Sequence, residues 1–70
     1  MNLTRDQFRL LSYLKHLSKH GHSGPLKAQW LSTAAKVPPR KLIAVRDALT
    51  DMGLIDARRV SHGYEYRLLA

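Results

Sequence analysis

Arg40 and Lys41 follow a proline pair, Pro38-Pro39, and stand just ahead of the apolar series Leu42, Val45 and Leu49. A second basic pair, Arg58-Arg59, lies beside the turn Ser61-His62-Gly63. A guanidinium offers a planar fork of donors that fits a phosphate or the edge of a guanine, and an ammonium acts as a point charge. Cations gathered at a helix start and at a hairpin tip therefore point to a polyanion. Histidines at His16, His20 and His22 raise zinc as another chemistry, since imidazoles four apart on a helix can share an ion. No carboxylate or thiolate lies near them in sequence, so they read as cations capping a helix end, and no metal is expected. The five acids, Asp6, Asp47, Asp51, Asp56 and Glu65, form no local motif with a histidine, and no glycine loop could cradle a nucleotide. No enzyme and no cofactor is expected.

These side chains belong to 70 residues, which predicts a single domain over 1–70. A domain this small buries only about 60% of its unfolded surface, so its core must be economical. The apolar share, 44%, suits a globular fold rather than a disordered tail. Twelve Lys and Arg stand against five Asp and Glu, for a net charge of +7. That excess favours nucleic acid or an anionic surface as partner. There is no cysteine, which excludes disulfides, thiolate metal sites and cysteine nucleophiles. No apolar run approaches the roughly 18 residues of a membrane span, and no signal-peptide core is present, so no membrane partner is expected. The expected location is cytoplasmic, on the nucleoid.

The elements that must position the cations can be read from spacing. Thr4 and Gln7 make a capping box, with Leu3 and Phe8 placed as a hydrophobic staple. Phe8, Leu11, Leu14 and Leu17 recur at helical spacing, Leu10 and Tyr13 widen the stripe, and Gly21 suits a left-handed cap. His20 to Pro25 reads as a loop. Pro25 and the residues after it open a shorter second helix, with Leu26, Trp30, Leu31, Ala34 and Ala35 as its apolar positions. Lys36-Val37-Pro38 ends it, because a residue before proline avoids helical geometry, and Val37 plugs the turn. Pro38 or Pro39 starts a third helix, since the first helical position needs no amide. Leu42, Val45, Leu49 and Met52 are its buried stripe and Gly53 stops it. Leu54 to Val60 and Tyr64 to Leu69 then alternate as two strands, with Ile55 and Ala57 inward and Tyr64, Tyr66 and Leu68 sharing a face.

Three helices and a basic hairpin predict an α+β winged helix-turn-helix, with room for a short third strand before the second helix. Val37-Pro38-Pro39-Arg40, Leu42, Val45, Leu49 and Gly53-Leu54-Ile55 resemble the recognition segment of bacterial winged-helix repressors related to the iron–sulfur cluster regulator. The stretch ARRVSHGYEYRL is similar to that family's wing. The opening Leu3-Thr4 and the closing Arg-Leu-Leu also resemble the DNA-binding part of LexA-type SOS repressors. This chain departs from the first family in lacking the cluster cysteines and in carrying Lys41 where an aromatic residue is usual. Both families continue past the position of Leu69-Ala70, so the chain is expected to be a small stand-alone protein or a DNA-binding piece of a longer one.

The resemblance implies sequence-specific binding of double-stranded DNA by a small transcriptional regulator, with the third helix in the major groove. On that helix Pro39, Arg40, Lys41, Ile43, Ala44 and Asp47 face away from the buried stripe. Arg40 is the candidate for a bidentate guanine contact, and Ala44 for a thymine methyl. Arg58, Arg59, Ser61 and His62 would place the wing on backbone or minor groove. Ser23, Lys27, Lys36 and Arg46 are candidate phosphate contacts, with Ser23 and Lys27 at the start of the second helix. A homodimer on a palindromic site is expected, because one recognition helix reads few base pairs. No small-molecule ligand is evident. The alternatives are an adaptor that docks the same helix on an acidic protein, or a plasmid or phage replication or partition protein.

Overall fold

Thr4 opens the first helix, α1 (Arg5–Lys19), as the capping box requires: its hydroxyl accepts from the Gln7 amide at 3.2 Å, and the Thr4 amide donates to Gln7 Oε1 at 3.0 Å. The structure is a computed structural model and describes residues 2–21, 24–61 and 63–69. Leu10, Leu11 and Leu14 are buried along α1, and Leu17 and Tyr13 pack at the edge of the core. Phe8 departs from the expected stripe and is 61% exposed. The leucines centre the buried face on the opposite side of Leu11, and Phe8, three positions earlier, falls off its edge. Gly21 takes a φ of 74°, the expected left-handed cap.

The second helix, α2 (Ala28–Ala35), begins later than its apolar pattern suggests. Pro25 does not open it, and Leu26 is not helical. The Leu26 amide donates to the Tyr64 carbonyl at 2.8 Å, and the Tyr64 amide donates to Leu26 at 3.1 Å. Both backbone groups of Leu26 are thus committed to a strand-like bridge. Lys36 ends α2 with a φ of 61°, and Val37 is buried in the turn as expected.

Pro38 caps the third helix, α3 (Pro39–Asp51), and Pro39 fills its first position. Leu42, Val45 and Leu49 are buried, with Met52 packed beside them. Gly53 has a φ of 74°, which turns the chain so that the Leu54 amide donates to the Leu49 carbonyl at 3.1 Å. The strands β1 (Ile55–Val60) and β2 (Gly63–Leu68) form an antiparallel hairpin paired from Ile55↔Leu68 to Val60↔Gly63. Tyr64 therefore pairs with Arg59 on one side and with Leu26 on the other, so β2 runs between β1 and the Leu26 bridge. Three helices followed by a hairpin, with a short third strand-like contact, match a winged-helix topology. Leu10, Leu31, Leu42, Leu49 and Ile55 meet at the centre, each fully buried leucine contributing about 1.5–3 kcal/mol. No helix among the described residues is long and apolar enough to cross a membrane.

Candidate nucleic-acid interface

The buried stripe of α3 decides what the helix shows to solvent. With Leu42, Val45 and Leu49 turned inward, Pro39, Arg40, Lys41, Ile43, Ala44 and Asp47 are all exposed. Arg40, Ala44, Asp47 and Asp51 share the outermost line, with Ile43 (59% exposed) on one flank and Lys41 on the other. The first turn of the helix thus projects two cations from an end that already carries partial positive charge. Ala44 leaves the middle of that face low. The acids come later, on the turns nearer the C-terminus.

The turn before α3 is held by three hydrogen bonds, two to Ser32 and one to Arg9. Buried Ser32 donates its hydroxyl to the Val37 carbonyl, and the Val37 amide donates back to the Ser32 carbonyl at 3.0 Å. Arg9 reaches from α1, its Nη1 donating to the Lys36 carbonyl at 3.3 Å. The two residues are 27 apart in the chain, so local spacing carries no signal for this bond. Lys36 itself is exposed, as is Lys27, which forms the N-cap of α2 without a side-chain capping bond.

Arg46 has a different place from the phosphate contact expected of it. It is 8% exposed, and its guanidinium lies 4.0 Å from the centre of the Tyr64 ring. Its Nε stands 3.6 Å from Asp47 Oδ1. The helical wheel explains this, since position 46 lies about 40° beyond Leu42, at the edge of the inner side. The residue braces α3 against the wing and has little left to offer a ligand. Burial pushes the Tyr66 phenol above its ordinary pKa, and the neighbouring Arg46 guanidinium opposes that shift.

The wing arginines separate. Strand alternation puts Arg59 on the face shared with Tyr64 and Tyr66, towards α3, and Arg58 on the opposite face. Arg58 stands directly across from Glu65, with Nε–Oε1 at 3.9 Å, and Asp56 pairs with Arg67 at 3.4 Å on the same outer face. Exposed pairs of this kind contribute little to stability, yet they offset the charge of Arg58 and Arg67 locally. Ser61 is exposed at the hairpin tip. His62 and Ser23 lie outside the described residues. Tyr64 and Tyr66 are partly buried, with ring centres 6.3 Å apart, and pack inward rather than presenting faces to solvent.

His16 and His20 are in ring contact at 4.4 Å, and no group of three metal-ligating side chains occurs among the described residues. No protein-family profile matches the chain, and none of the curated proteins matches it in sequence.

Proposed function

We propose that the protein binds double-stranded DNA sequence-specifically as a small transcriptional regulator. The observation that carries this reading is the exposed opening of α3, where Pro39, Arg40 and Lys41 stand clear of a rigidly anchored helix. Arg40 contacts a guanine edge, an interaction that discriminates by about 1–3 kcal/mol. Ala44 and Ile43 meet thymine methyls, while Asp47 limits insertion to the first turns. Arg59 and Ser61 bring the wing to the backbone, with Lys27 and Lys36 on flanking phosphates. Arg46 acts inside the fold, setting the angle between helix and wing. Two copies on a palindrome would give the base coverage that one helix lacks. The same chemistry would serve a replication or partition protein, and a nucleoid location follows from either role.

The 59% exposure of Ile43 favours a second reading, in which α3 docks on an acidic protein. Fluorescence anisotropy of a labelled random duplex across a salt series separates the two. For the DNA reading, affinity falls steeply with salt, with a slope near −0.9 per phosphate neutralised. Arg59→Ala lowers that slope by about one and Arg58→Ala changes it far less, because Arg58 lies on the other face beside Glu65. Arg40→Ala weakens binding to a selected site more than to random duplex. Indifference to salt and to all three substitutions would favour the adaptor.

A further inference from the structure

We infer that the groove between α1 and α2 docks an acidic amphipathic segment of a protein partner. Phe8, Tyr13, Ala34 and Ala35 line a groove of about 320 Å³, and Arg9 and Lys36 stand at its edge. None of the described residues lining it is acidic. Phe8 is 61% exposed there, and Trp30, 46% exposed, packs its ring 5.9 Å from that of Tyr13. Phe8 and Tyr13 thus line one groove whose floor is the buried Ala35, with Trp30 against the Tyr13 ring, and Phe8 and Trp30 are left at the surface. The bond from Arg9 to the Lys36 carbonyl ties the two helices together at the cationic edge, so the groove is preformed.

Charge selects the occupant. At 100° per residue, Arg5, Arg9, His16 and Lys19 share the outer side of α1 with Phe8, whereas Asp6 lies round towards the buried side. A second copy seated here would set Arg5, Arg9 and Lys19 against their own equivalents with no carboxylate to separate them, and such juxtaposition is costly. A duplex would satisfy the cations but offers Phe8 no apolar surface short of unstacking its bases. A helix with an apolar stripe flanked by Asp or Glu satisfies both parts: its aliphatic residues enter between Phe8 and Tyr13, the small Ala34 and Ala35 let it approach closely, and its carboxylates meet the edge.

Trp30 is the only tryptophan in the chain, and its ring lies against that of Tyr13, which lines the groove, so its emission reports on the groove through that contact. The full chain is titrated with a synthetic helical peptide of about four turns carrying Leu at i, i+4 and Glu on both flanks. A peptide with Lys in place of Glu and one with Ser in place of Leu serve as controls. The acidic peptide is expected to change Trp30 emission saturably and the controls to leave it unchanged. Phe8→Ser and Arg9→Glu are each expected to weaken binding about tenfold or more, equivalent to about 1.4 kcal/mol, with an unchanged far-ultraviolet circular dichroism spectrum. The inference does not rest on the duplex reading, and Phe8→Ser leaves affinity for duplex as it was. No saturation with the acidic peptide at millimolar concentration, or an equal response to the Lys peptide, overturns it. So does a Phe8-dependent dimer in sedimentation, which would assign the groove to a second copy, or loss of duplex binding in Phe8→Ser, which would assign it to DNA.

Discussion

Arg46 shows how a single side chain can look like a ligand contact and act as a brace. A charged group is rarely this buried unless it is paired, and here the Tyr64 ring and Asp47 supply the pairing. Removing it strips both the ring contact and the packed aliphatic stem, so Arg46→Ala should destabilise the fold by about 2 kcal/mol, read as a lower urea midpoint. The same residue holds down the pKa of Tyr66, so Arg46→Ala should also move the Tyr66 titration to still higher pH in ultraviolet absorbance. The parent protein has its own alkaline signature. Because burial raises the folded-state pKa of Tyr66, folding is fully supported below the unfolded value of about 10 and weakens as pH climbs from there towards the folded value. Stability measured from pH 9 to 11 should therefore fall, and in Tyr66→Phe it should fall less. An equal decline in the two proteins would show that Tyr66 contributes nothing to it.

Among the elements, those built from local signals were legible in the chain and those built from distant pairing were not. The capping box of α1, the Val37 plug, the proline start of α3 and its Gly53 stop all depend on residues within one or two turns of each other. The inward side of the hairpin also follows from strict alternation. The start of α2 was misread because Pro25 and Leu26 look like a helix opening until Tyr64, far downstream, claims the Leu26 backbone. Phe8 was misread because a periodic apolar residue and a surface aromatic have the same local pattern. Of the candidate site, the outward face of α3 could be read from its buried stripe, whereas the opposed directions of Arg58 and Arg59 required the strand register. The glycines test the distant pairing. Gly53 and Gly63 both have positive φ, at 74° and 134°, but a Cβ at Gly53 meets nothing, while one at Gly63 would collide with the Leu26 carbonyl. Gly53→Ala should cost about 1 kcal/mol, and Gly63→Ala about 2–3 kcal/mol, because only the second must break the bridge to Leu26 as well as strain the backbone. Equal losses of urea stability in the two variants would mean that the bridge does not hold β2 in place.

At the scale of the whole molecule, charge sets two opposing responses to salt. The body measures 31 × 25 × 20 Å and carries a net charge of +7. At 0.01 M ionic strength the screening length, about 30 Å, spans the molecule, so every cation repels every other. At 0.1 M it shrinks to about 10 Å, and repulsion across the body is largely removed. The ion pairs Arg58–Glu65 and Arg67–Asp56 are exposed, so screening them forfeits little in return. The melting temperature should thus rise from 0.01 to 0.1 M sodium chloride and then level off. Over the same interval duplex affinity should fall, since binding releases the counterions that added salt restores. The two trends have one origin in the excess of Lys and Arg but opposite signs, because folding brings cations towards one another and binding brings them towards phosphate. Differential scanning calorimetry and anisotropy on the same salt series measure both. A melting temperature that falls with salt would mean that local ion pairs outweigh the net charge, and the electrostatic basis of the duplex reading would weaken with it.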